Sequence, residues 1–302
     1  MLTASGLAGL LPALVTPFSA DGAVEVAALR RLIERMFAGG ARGIVPLGGT
    51  GEYTALSPAE RRTVAETAVA AAAGRGPVVA GVLSPGYAEA LAAAQDFKSA
   101  GVDAVMLLSP FYALGTQAGL IDYIHRFRDA CGLPIVLYEI PVRTNVSLEP
   151  ETIATLAADG TAIGIKFSNY DVPRFHRLAG LVGDDFALLG GEEPLVACHL
   201  EMGARGAVLA TANLVPEFWA EIFDIHRRGP GQAAFAHQAK AQPLIDAVFA
   251  EPNPGPLKKA LAIIGEPVGD VRLPLLPPRP ETVARLSKVL AAFKDVQSLE
   301  YA

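Results

Sequence analysis

Between residues 10 and 228, short β-rich apolar runs alternate with longer Ala-rich stretches of helical period, and this alternation limits the fold more than any other feature. The apolar runs fall at 10–16, 43–47, 78–83, 104–108, 135–138, 163–167, 187–189 and 207–210. Helices are expected between and after them, at 24–38, 58–73, 87–99, 117–131, 149–158, 172–180, 193–202 and 215–228. Two of these open on a clear start signal, Ser57-Pro58 followed by Glu60, and Glu149-Pro150. The joins from helix to strand repeat as well. Gly40-Ala41-Arg42-Gly43-Ile44-Val45, Gly101-Val102-Asp103-Ala104-Val105-Met106 and Gly203-Ala204-Arg205-Gly206-Ala207-Val208 each place a helix-ending Gly before a short turn and an apolar run. Eight such units with tight joins predict a (β/α)8 TIM barrel. An open doubly wound sheet is the alternative, but no Gly-x-Gly-x-x-Gly follows the first run.

Past residue 229 the pattern turns to helices alone, at 231–250, 256–264 and 280–295, separated by Pro-rich connectors. The expected organisation is a barrel over 1–228 and a C-terminal helical region over 229–302, packed on or beside it with no separate catalytic role. A hydrophobic fraction of 51% suffices for a core of that size. The net charge of −6, with no run of Lys or Arg beyond a dipeptide, argues against nucleic acid as a partner. Cys131 and Cys198 form no CxxC pair, so a reducing, cytoplasmic setting is expected. Residues 1–20 are uncharged but lack a basic start, and Pro12 and Pro17 interrupt them. The uncharged run 104–121 holds Pro110, Gly115 and Gly119, which suits a strand and loop, so no membrane contact is expected.

In a barrel the chemistry sits where strands end and βα loops begin. There, Lys166 interrupts an apolar run. Period-two geometry puts it on one face with Gly164 and Ala162, and Ile163, Ile165 and Phe167 on the other. The small-residue face suits the barrel interior, where an apolar setting favours the free amine that attacks a carbonyl. A strand-end Lys can equally snorkel to solvent or pair with a carboxylate, and position alone leaves both readings open. Tyr138 closes the fifth run, as a core aromatic or a general acid/base, and Arg143 follows it as a carboxylate clamp or a solvated charge. The loop Gly48-Gly49-Thr50-Gly51-Glu52 is a tight turn or an anion-receiving set of amides. Ser109-Pro110-Phe111-Tyr112 places an aromatic pair over the barrel mouth or an interface. All five His fall in expected outer helices without metal-ligand spacing, so no metal is expected.

Taken together, Ala13-Leu14-Val15-Thr16-Pro17-Phe18, the 48–52 loop, the 109–112 segment, Tyr138 through Thr144 and Gly164-Ile165-Lys166 resemble the dihydrodipicolinate synthase / N-acetylneuraminate lyase family. Residues 251–261 and 272–275 resemble its C-terminal signature. The resemblance implies Schiff-base chemistry without a cofactor, joining pyruvate or a related 2-oxo acid to an aldehyde, or the reverse. It implies a homotetramer or homodimer. Lys166 falls on the Schiff-base lysine, Tyr138 on the proton-shuttling tyrosine, and Tyr112 on an aromatic that reaches a neighbouring site. The substrate-binding set becomes Gly48, Gly49, Thr50, Arg143 and, at the end of the eighth run, Ala210. Pro-x-Arg-Thr after Tyr138 is similar to the branch that condenses pyruvate with L-aspartate 4-semialdehyde. Gly49 stands where that branch has a relay hydroxyl, Glu139 replaces its usual Asn, and Phe167-Ser168 is more like the sialate-lyase branch. A 2-keto-3-deoxy-sugar-acid or sialate-type aldolase, or a catalytically impaired ligand-binding barrel, are the alternatives.

Overall fold

The computed structural model describes the backbone of residues 1–300 and the side chains of residues 1–293; residues 301–302, the end of the expected helical region, lie outside the described residues. Seven strands form one parallel sheet: β1 (Gly9–Pro12), β2 (Val79–Val82), β3 (Ala104–Leu108), β4 (Ile135–Glu139), β5 (Gly164–Phe167), β6 (Ala187–Gly190) and β7 (Gly206–Leu209). Their order, β1-β7-β6-β5-β4-β3-β2, leaves β1 and β2 at the two ends. Segment 43–47 fills that gap. Ala13 bridges Val45 and Ile44 bridges Val78, both in parallel, and Gly81 N donates to the Pro46 carbonyl at 3.0 Å. The sheet is thereby closed into a (β/α)8 barrel.

The second expected strand is therefore present as a stave but not as a continuous ladder. Pro46 has no N–H to give, and Leu47 lies in the left-handed region at φ 62°, so regular pairing stops where the loop begins. Gly81 permits the crowding on the neighbouring strand, since a Cβ there would lie 2.3 Å from the Leu47 carbonyl oxygen.

The expected helices form within a few residues of their limits. The helix Pro58–Ala72 begins with a full capping box, in which the Ser57 hydroxyl accepts from Glu60 N and the Glu60 carboxylate accepts from Ser57 N. The expected 231–250 helix is instead two, Gly231–Ala239 and Gln242–Val248, because Pro243 fits only in the first turn of a helix. With Gly255–Ile263 and Pro280–Glu300 these make up the C-terminal region. It packs on the barrel's outer helices through Gly231–Ala239, which contacts Pro216–Arg228 and Val196–Glu201.

Candidate active site

Adjacent strands in parallel register put facing residues side by side on one surface. Tyr138 pairs with Lys166 across β4 and β5, and Lys166 pairs with Leu189 across β5 and β6. Phe167, one residue on, packs its ring against Phe175 of an outer helix at 5.3 Å, so Lys166 projects to the barrel interior. Lys166 is buried, and its Nζ donates to the Tyr138 hydroxyl at 3.4 Å and lies 4.5 Å from the centre of that ring. Gly191 keeps the space beside it open: a Cβ there would come within 3.1 Å of Lys166 Cε and 2.1 Å of Ser168 Oγ.

Tyr138 lines a cavity of about 280 Å3 together with Gly49, Phe111, Arg143 and Asn253. Arg143 reaches it from the short turn Pro141–Thr144 that follows β4. Its Nη1 is 3.8 Å from where a Cβ on Gly49 would sit, so the bare backbone of residue 49 faces the guanidinium. The turn is secured by Thr144, whose hydroxyl donates to the Ile140 carbonyl at 3.1 Å. Within the 48–52 loop, Gly51 N and Tyr53 N donate to the Gly48 carbonyl and Glu52 N donates to that of Gly49. The N–H groups of Gly49 and Thr50 have no protein acceptor among the described residues, an arrangement suited to an anion.

The C-terminal region forms one wall. Asn253 Nδ2 donates to Thr50 Oγ1 at 3.0 Å, and Arg272, Leu273, Pro274 and Leu275 face the cavity. Lys258 and Glu52 pair at 2.6 Å with side chains only 2% and 1% exposed, and Arg272 N donates to the same carboxylate at 2.8 Å. Burial pushes the Lys258 ammonium down from its ordinary pKa, and Glu52 opposes that shift.

Of the residues singled out in the sequence, Tyr138, Arg143 and Gly49 meet at one cavity, with Lys166 bonded to Tyr138 and Thr50 to a cavity residue. Lys166 itself does not line the cavity. Gly48 serves as the turn's acceptor. Ala210 stands apart, its N–H donating to Glu193 Oε1 at 2.8 Å. Tyr112 is 90% exposed and does not line this chain's own cavity. Two acids went unremarked in the sequence. Burial raises Glu193, which is fully enclosed and accepts from Ala210 N and Thr211 N. Burial, and then the Glu193 charge, push Glu192 up to about 7, while Tyr170, Lys166 and Arg143 pull it back. Their position just after β6, at the carboxyl end of a barrel strand, was the available signal. Among the described residues there is no group of three or more His, Cys, Asp or Glu that could hold a metal ion.

The model of the dihydrodipicolinate synthetase family matches residues 6–293. A protein of Hyphomonas neptunium named 4-hydroxy-tetrahydrodipicolinate synthase is 40% identical, over 94% of this chain and 97% of its own. Another of that name, from Anaeromyxobacter dehalogenans, is 38% identical over 95% and 97%. The solved dihydrodipicolinate synthase of Acinetobacter baumannii, described as chloride-inhibited and complexed with pyruvate, superposes with a TM-score of 0.92. It shares 32% identity and covers 95% of this chain and 99% of its own. Matched along nearly its whole length in sequence and in backbone, the chain belongs to the dihydrodipicolinate synthetase family and is a lyase-type (β/α)8 enzyme.

Proposed function

We propose that the chain joins pyruvate, or a related 2-oxo acid, to an aldehyde through a Schiff base on Lys166, acting as a 4-hydroxy-tetrahydrodipicolinate synthase. The observation that carries this reading is the buried Lys166 amine, hydrogen-bonded to the hydroxyl of Tyr138, a residue that lines one cavity with Arg143. The amine adds to the ketone, water leaves, and the imine nitrogen becomes the electron sink. Loss of a methyl proton then gives an enamine, whose carbon attacks the aldehyde; Tyr138 carries protons in both steps. An amine on the added aldehyde displaces Lys166 from the imine and closes a ring. The Gly49 and Thr50 amides receive the 2-oxo acid carboxylate, and Arg143 holds the carboxylate of the aldehyde bidentately.

The relatives' shared name supports this substrate pair. One observation favours a second reading, an aldolase for 2-keto-3-deoxy sugar acids. Gly49 leaves no hydroxyl beside Arg143, so the proton relay of a synthase lacks one member. The exposed Tyr112, Leu114 and Val142 near the barrel mouth support assembly as a homodimer or homotetramer in which Tyr112 enters a neighbouring copy's site. Among the described residues no helix is long and apolar enough to cross a membrane, and both cysteines are free, which supports a cytoplasmic setting.

The test is borohydride reduction after incubation with pyruvate. A stable adduct on Lys166, seen by peptide mass spectrometry, is expected; no adduct across a panel of 2-oxo acids overturns the reading. Arg143→Ala is expected to raise KM for the aldehyde while the pyruvate adduct still forms.

A further inference from the structure

Four non-glycine residues among those described have a left-handed backbone. Ala73 and Asn145 directly follow the helix Pro58–Ala72 and the turn Pro141–Thr144, where that conformation is routine. Leu47 at φ 62° and Glu52 at φ 55° instead flank segment 48–51, the core of the candidate carboxylate loop. Non-glycine residues enter this region at a steric cost, so the surrounding fold must hold them there. Leu47 is fully buried in the barrel. Glu52 is held by its side chain.

The Glu52 carboxylate pairs with Lys258 Nζ at 2.6 Å and accepts from Arg272 N at 2.8 Å. Neither partner is loose. Lys258 Nζ also donates to the Asp270 carbonyl at 3.0 Å and sits 4.0 Å from the centre of the Phe18 ring. The Arg272 guanidinium donates to Glu60 and to the carbonyls of Gly22 and Ala55. The backbone of Glu52 passes this anchorage to the loop. Its N–H donates to the Gly49 carbonyl at 3.2 Å, and the N–H groups of Gly51 and Tyr53 donate to the Gly48 carbonyl. In a planar trans peptide the C=O and the N–H point in opposite directions. Fixing the Gly48 and Gly49 carbonyls inside the turn therefore fixes the N–H groups of Gly49 and Thr50 outward from it. The pairing with Lys258 also cancels a negative charge that would oppose an incoming carboxylate.

We propose that Glu52 is a positioning residue for the 2-oxo acid. Anchored by Lys258 and Arg272, it sets the direction of the Gly49 and Thr50 amides that receive the substrate carboxylate. The anchor lies up to 220 residues away along the chain, so the C-terminal region takes part in the first step of the reaction without touching substrate. Preorganised donors of this kind lose little when the anion arrives, because their orientation is already fixed by the fold. This inference rests on the proposed Schiff-base reaction and deepens its reading of the carboxylate site.

The experiment compares labelling of Lys166 by pyruvate and by acetaldehyde, which presents a carbonyl without a carboxylate. Each is incubated with the full chain and cyanoborohydride, and peptide mass spectrometry gives the rate of adduct formation. The ratio of the two rates cancels any change in the Lys166 amine itself, and urea unfolding reads stability separately. Glu52→Ala with Lys258→Met removes both charges together, so no buried ion is stranded and the net charge is unchanged. This variant is expected to lower the pyruvate-to-acetaldehyde ratio about tenfold or more, since misdirected amides forfeit hydrogen bonds to a charged group. Glu52→Gln with Lys258→Met keeps an acceptor for Arg272 N and is expected to show a smaller fall in the same direction; it covers the case in which the Ala variant does not fold. An unchanged ratio in either folded variant, including an equal fall in both rates, overturns the proposal. A wild-type chain that forms no pyruvate adduct on Lys166 overturns the Schiff-base reading instead, so the two failures are distinguishable.

Discussion

His199 offers a quantitative check on how the barrel is packed around the site. It lies on the helix Val196–Glu201, fully buried, with its ring stacked on Phe175 at 4.1 Å and edge-on to Phe167, the residue after Lys166. Neither ring nitrogen has a hydrogen-bond partner, and burial alone pushes its pKa from 6.5 down to about 4. The unfolded chain therefore binds a proton that the folded chain refuses between those two values. Stability from this residue is complete above the unfolded value and is lost as pH falls through 6.5 towards 4. Linkage gives a loss of about 2 kcal/mol between about pH 7.5 and about pH 5, approaching about 3 kcal/mol below the folded value. His199→Leu keeps an apolar side chain of similar size and forfeits no hydrogen bond. Urea unfolding of both proteins at the two pH values gives the answer as a difference of differences. Raised carboxyls such as Glu139 and Glu193 push the other way, but equally in both proteins. The variant should lose about 2 kcal/mol less than wild type on acidification. If both proteins lose the same amount, the ring is not held neutral by burial and the reasoning fails.

Three further outcomes follow from the site. Gly49→Ser should fold with little change in melting temperature, because a Cβ at residue 49 meets only Arg143 Nη1 at 3.8 Å and the backbone there is not left-handed. It should raise kcat for condensation on the order of tenfold by supplying a relay hydroxyl, below the hundredfold or more of a group that water cannot replace; a folded variant with unchanged kcat places the relay elsewhere. Gly191→Ala should slow adduct formation on Lys166 by about tenfold or more, since the new Cβ crowds Ser168 Oγ and Lys166 Cε, and Ser168→Ala in the same chain should recover part of the rate. Lys258→Met should cost about 3–5 kcal/mol in urea unfolding by stranding the buried Glu52 carboxylate, with much of the loss returned by Glu52→Gln in the double variant. Additive losses in that pair would show that the two charges do not depend on each other.

The alternation of apolar runs and helical stretches determined the barrel, because periods of 2 and 3.6 residues are local properties that survive any rearrangement of distant segments. The same local rule pointed Lys166 inward opposite Phe167. It could not register that Pro46 and Leu47 would interrupt the second stave, where a missing N–H and a left-handed residue act only against a neighbouring strand. The helix expected over 231–250 runs across Pro243, which the fold accepts only in the first turn of a separate helix, Gln242–Val248. What the tertiary structure alone decided is which residues meet. The Tyr138–Lys166 contact depends on the register of two strands 28 residues apart, and Asn253 reaches Thr50 across a separation of 203. Residues 251–261 carried a family likeness but no local pattern that assigns Asn253 to a cavity wall. Sequence periodicity records which face a residue occupies; only closure of the barrel and docking of the C-terminal region fix what lies opposite that face.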